Sequence, residues 1–201
     1  MNKRITLLVV CLIACLLVGG AMLVKDGAAQ SAPTWLSLDG SSGPSSPRLA
    51  LLNASHLSID LQASLPGAQA ETVWAGGQPF TRLSGEGYGF PTTPGKPELP
   101  VLRQEVEIPF GAQTSLELVS AQFIEVSLAE LGLHAIYPMQ PPQVKLRSAE
   151  TPLDTLDTSA YTHSGFALAS PLSAGEPYTV RGHRILPVEV WPVAYDPLAG
   201  T

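Results

Sequence analysis

The 201-residue sequence predicts an all-β protein, an antiparallel β-sandwich behind an N-terminal signal or anchor helix, on three observations. Its 19 prolines and 18 glycines are spread along the chain and break up almost every helix-length window. Several short runs alternate apolar and polar residues with a period of two, which marks half-buried strands. No stretch joins a capping residue to a helical apolar stripe.

The elements follow in chain order. Met1-Asn2-Lys3-Arg4 is a basic start, and residues 5–24 are apolar except for Thr6, Gly19 and Gly20. Gly27-Ala28-Ala29 then precede Gln30, which fits a signal peptide cut between Ala29 and Gln30. The apolar run, at ~20 residues, also suffices to span a bilayer, so an uncleaved anchor is the alternative. Either way the body after Gln30 lies outside the cytoplasm, and the chain meets the membrane only through this segment. Residues 30–47, rich in Ser, Gly and Pro, read as a flexible linker, with a short strand left open over 35–38. Residues 48–201 then form the domain.

Within it, Leu57, Ile59 and Leu61 alternate with Ser58, Asp60 and Gln62 as a strand should. Residues 71–75 and 79–83 are shorter strand signals, joined at Gly76-Gly77 by a hairpin turn. Glycine and proline make residues 84–97 a loop. In residues 101–108, Leu102, Val106 and Ile108 share one face and Arg103, Glu105 and Glu107 the other, apart from a phase slip near Gln104. A turn at Pro109-Phe110-Gly111 is expected to return the chain through a second strand over 114–122, and 124–128 alternates again. A helix over 112–131 is the competing reading, set aside because the residues favour strands. Residues 143–165 are polar and unpatterned. The last strands are 178–184 and 186–194, or one long strand kinked at Pro187. Tyr195-Asp196-Pro197 opens a turn after which only Thr201 remains, so a truncated C-terminal hairpin is expected.

Charge and chemistry narrow the function. Removing residues 1–29 takes Lys3, Arg4, Lys25 and Asp26, which leaves 8 basic against 16 acidic residues and argues against a nucleic-acid partner. Cys11 and Cys15 are apolar filler within the leader, so the exported body has no thiol. His56, His134, His163 and His183 stand singly, without metal-ligand spacing. No serine sits in a nucleophile elbow, and the glycines over 85–89 lack the lysine and helix of a phosphate loop. Glu105 with Glu107 and Asp154 with Asp157 read as solvated charges, and Asn53-Ala54-Ser55 is a short match to the glycosylation pattern. No catalytic residue, metal or cofactor is implied.

Four segments carry a resemblance. They are Gly95-Lys96-Pro97-Glu98-Leu99-Pro100-Val101, with the strand to Pro109; Ile136-Tyr137-Pro138-Met139-Gln140-Pro141-Pro142; Val180-Arg181-Gly182-His183-Arg184-Ile185; and Trp191-Pro192-Val193-Ala194-Tyr195-Asp196-Pro197. In this order and spacing, over residues 80–201, they resemble the N-terminal propeptide of gingipain-type cysteine peptidases. The resemblance implies a non-catalytic chaperone and latency inhibitor whose partner is a cognate cysteine peptidase domain. It implies cysteine endopeptidase activity for a full-length precursor and none for this chain. Lys145 and Arg147, alone among basic residues between Arg103 and Arg181, mark the candidate inhibitory or cleavable loop within 143–156. A surface-anchored β-sandwich adhesion or binding module is the alternative from a different class.

Overall fold

Antiparallel pairing dominates the chain, as its alternating runs require. The computed structural model describes residues 32–55, 58–142, 155–166 and 170–201. The expected signal cut at Ala29 and Gln30, the apolar run, and Lys145 and Arg147 therefore lie outside the described residues. Among these described residues, three hydrogen-bonded groups of strands form, with one short helix.

In the first group, β1 (Thr34–Ser37), β4 (Gly67–Ala75) and β5 (Gln78–Ser84) pair in the order β1-β4-β5. β1 occupies the place where a short strand was left open. Gly76 and Gly77 have φ of 56° and 75°, the positive angles of the expected tight turn. Gly67 is required at the start of β4, since a Cβ there would collide with the Leu36 carbonyl and lie 2.7 Å from the Trp35 ring. The second group is a two-stranded ribbon of β2 (Arg48–Ala54) and β3 (Ile59–Ser64).

The third group is built on β9 (His183–Val190), which pairs β6 (Leu102–Glu107) along one edge. Along its other edge lie β7 (Leu172–Ala174) and β8 (Tyr178–Val180), end to end. Pro187 therefore stands in a central strand although it has no N–H to give. The gap between β7 and β8 falls beside it, where Gly175 N donates to the Pro187 carbonyl at 2.9 Å. A Cβ at Gly175 would lie 2.8 Å from Pro187 Cγ, so that gap takes glycine. Rather than kinking β9, Pro187 is accommodated by a break in its neighbour.

Two expected elements are corrected. β6 does not form a hairpin with 114–122, which carries no strand, nor does a helix run over 112–131. The reason lies in the pattern: Leu116 and Leu118 occupy one phase, Val119, Ala121 and Phe123 the other, so no single register buries both sets. β9 offers Leu186, Val188 and Val190 in unbroken phase and takes the place at β6. Nor is 178–184 one strand, because Arg181-Gly182 is a two-residue turn between β8 and β9, with φ of 51° and 84°.

Among the described residues the core lies in three clusters. One joins Ala68, Ala70, Leu83, Leu99, Leu128, Ile136 and Tyr195. A second holds Val73, Ala75, Phe80 and Tyr137, and a third packs Ile108, Leu186 and Val188 under the β6–β9 pair. The C-terminal residues close on Asp196, whose carboxylate accepts from the backbone N–H of Leu198, Ala199 and Gly165. Those bonds, Ala199's foremost, hold the Asp196 carboxyl below its usual range.

Candidate functional site

The proline-rich segments that carry the resemblance meet at one junction. Residues 134–139 thread between β5 and residues 95–98. On the β5 side, Thr81, fully buried, receives the His134 N–H on its hydroxyl at 2.8 Å. Its own N–H donates to the Ala135 carbonyl, and its carbonyl accepts from Tyr137 N at 2.7 Å. On the other side Pro97 faces Pro138 in an antiparallel bridge. The bonds run from Glu98 N to the Tyr137 carbonyl and from Met139 N to the Lys96 carbonyl, each 2.8 Å. The two prolines thus occupy a non-hydrogen-bonded pair, the one ladder position where two missing donors cost nothing.

Gly95 closes the junction. Its N–H donates to the Met139 carbonyl at 2.7 Å and its carbonyl accepts from Asp157 N at 3.0 Å. With φ of 85° and Asp157 N 2.8 Å from where a Cβ would be, only glycine serves both roles. Asp157, read from sequence as a solvated charge, is the N-cap of α1 (Thr158–Tyr161) and accepts from the N–H groups of Ser159 and Ala160. The Ser159 hydroxyl, bonded to it at 2.6 Å, is the main cause that holds its carboxyl low. From α1, the Tyr161 hydroxyl donates to the Ile136 carbonyl at 2.7 Å, tying the helix back onto the threaded segment.

Gln140 completes the arrangement. Its amide nitrogen donates to the Thr155 carbonyl at 2.9 Å and its amide oxygen accepts from Thr155 N at 3.1 Å. One side chain thereby imitates a strand neighbour. Gln140 and Thr155 stand on either side of residues 143–154 in sequence, and their bonds join the described segments before and after that stretch. Sequence reasoning missed Thr81, Gln140 and Asp157 as junction residues. The available signal was Asp157 followed by Thr158-Ser159, a helix-start pattern in an otherwise unpatterned stretch.

Beside the junction, Arg82 Nε lies 3.6 Å from Glu98 Oε2, an ion-pair distance too long for a hydrogen bond. The guanidinium sits 4.4 Å over the Tyr137 ring, which in turn meets Phe80 edge-on at 6.0 Å. Burial raises the Glu98 carboxyl above its usual range, and Arg82 counters only part of it. The Tyr161 phenol is also pushed up, chiefly by burial.

The solvent face of the β6–β9 sheet is a set of cross-strand pairs. Arg103 Nε meets Glu189 at 2.8 Å, the Tyr178 hydroxyl donates to Glu105 at 2.6 Å, and His183 Nδ1 lies 2.8 Å from Glu107. Arg184 donates to the Pro109 and Ala112 carbonyls rather than pairing with an acid. Of the aromatic residues, Tyr195 is buried, whereas Trp74 and Phe123 are exposed. Among the described residues no cluster of His, Cys, Asp or Glu could hold a metal, and no helix is long and apolar enough to cross a membrane.

No family model matches the chain. It is 29% identical over 153 residues, 76% of its length, to Lys-gingipain from Porphyromonas gingivalis, and equally to that of strain W83. It spans 9% of the length of these relatives. Among solved structures it aligns with a chain from the study of zymogenic latency of gingipain K from P. gingivalis. That alignment has TM-score 0.65 and 24% identity, covering 84% of this chain and 90% of that one. It also aligns with the complex of P. gingivalis RgpB pro- and mature domains, at TM-score 0.65 and 19% identity, over 76% and 77% of the two chains. The resemblance carried by the four motifs is borne out: in sequence this chain is similar to a short segment of Lys-gingipain, and in fold to chains from the gingipain K latency and RgpB pro-domain structures.

Proposed function

We propose that this chain is the pro-region of a secreted gingipain-like cysteine endopeptidase, acting as chaperone and latency inhibitor of a peptidase domain and having no catalytic residue of its own. The observation that carries it is the similarity to Lys-gingipain over 76% of the chain. The fold shared with structures of gingipain latency and of a pro–mature complex supports it. On this reading residues 1–29 are a removed signal, 30–47 lead into the body, and the sheets of 48–201 pack as a β-sandwich together with β1. Residues 143–154 are the inhibitory or cleavable loop, offering Lys145 or Arg147 to the peptidase. The fixed ends at Gln140 and Thr155 favour this, because a segment held at both sides reaches a cleft with less entropy to lose. Attachment to the peptidase in one precursor would raise the effective concentration to roughly millimolar, so modest contacts suffice.

The test adds the secreted protein in trans to mature Lys-gingipain and measures residual activity, alongside Lys145→Ala and Arg147→Ala. Inhibition by the parent, weakened at least tenfold in one variant, is expected; N-terminal sequencing of the same preparation should begin at Gln30. A parent that leaves activity untouched rejects the latency role, and two fully potent variants reject the loop assignment alone.

A further inference from the structure

Arg181 is the one non-glycine residue with positive φ among the described residues, at 51°. It is the first central residue of the two-residue turn in which Val180 pairs with His183. Such a turn favours Asn, Asp or Gly there, because a side chain at positive φ crowds its own backbone. Arginine thus stands where smaller residues fit better, and among the described residues no hydrogen bond or ion pair offsets the strain. The residue is exposed, and among the described residues it makes no hydrogen bond or ion pair. By contrast Arg103, Arg82 and Arg184 all have partners.

The surroundings also suit recognition. Val180 and Tyr178 of the same hairpin are 46% and 41% exposed. Ile108 N donates to the Arg184 carbonyl and Arg184 grips the turn over 109–112, which brings Phe110, 66% exposed, to the same end of the sheet. An unpaired guanidinium beside exposed aromatic and aliphatic side chains, on a rigid turn, is the composition of an interface hot spot. Strain kept without a structural return is most common at functional contacts.

We propose that this end of the sheet is a recognition surface for the peptidase domain, with Arg181 seated against an acidic patch there. It rests on the pro-region reading above. Carboxylates are the complement of an unneutralised guanidinium, which binds them through paired, charge-assisted hydrogen bonds. The contact is proposed independently of any role for residues 143–154.

The experiment compares the secreted parent with Arg181→Asn and Arg181→Gly, both of which keep the turn. Association with mature Lys-gingipain and with mature RgpB is followed by surface plasmon resonance at low and high salt, with thermal unfolding in parallel. The variants should bind at least one peptidase about tenfold more weakly at low salt, lose most of the parent's salt dependence, and unfold no earlier than the parent. Binding equal to that of the parent overturns the role of Arg181 and leaves the pro-region reading intact. Failure of the parent to bind either peptidase overturns both.

Discussion

At the scale of single residues, Glu98 shows how the junction responds to pH. Its carboxyl is raised because burial disfavours the charge, and Arg82 at 3.6 Å counters only part of that. A carboxyl raised on folding binds its proton more readily in the native state. Its contribution to stability is therefore present below the unfolded value and lost as pH rises through the folded one. Glu98→Gln should remove that component: measured as unfolding midpoint against pH, the variant should fall less than the parent between mildly acidic and neutral conditions. Parallel profiles would mean that Glu98 is solvated in the folded protein. Gln140 and Gly95 show a different economy, since each meets two backbone partners that no strand supplies.

At the scale of elements, the strands divide by whether their apolar residues keep one phase. β9 keeps Leu186, Val188 and Val190 inward, at 5%, 4% and 7% exposure, and organises three neighbours. Residues 114–124 change phase, and Val119 and Phe123 are 89% and 73% exposed. Phe123→Ser should therefore shift stability by less than about 0.5 kcal/mol, as surface changes do. Leu186→Ala should cost about 2–5 kcal/mol through loss of packing beneath β6 and β9. Urea unfolding of both variants checks the contrast, and a large loss from Phe123→Ser would show that the segment is packed after all. The same division explains what could be read beforehand. The β4–β5 hairpin was legible because Gly76-Gly77 and clean alternation agree. The partner of β6 was not, since β9 lies some eighty residues on and the nearer 114–122 competes for it by proximity alone. Arg181-Gly182 hid as strand because arginine is rarely a turn residue of this kind.

At the scale of the whole molecule, the four motifs located the family resemblance without revealing what they do. Pro97 and Pro138 sit 41 residues apart and become intelligible only when opposed, each excusing the other's missing donor. Gln140 reaches across to Thr155 in the same way. No local pattern encodes such partnerships, because the physical requirement is met by a distant backbone. What the sequence did expose was the rigidity of these segments, through their prolines.

The clasp between Gln140 and Thr155 bears on what would happen if the chain were cut in the proposed loop. A single break at Lys145 or Arg147 would leave the residues before and after the cut as two pieces, still joined by that clasp, by Gly95 with Asp157 and by the six paired positions of β6 and β9. Cleavage then changes the order of the unfolding reaction rather than the fold: what was unimolecular becomes a dissociation that depends on concentration. The nicked pieces should co-elute in gel filtration at micromolar concentration and separate on dilution, and separation at every concentration would show that the clasp is too weak to matter. On the pro-region reading proposed above, a nicked pro-region would come apart on dilution, so dilution itself would set when its two pieces separate.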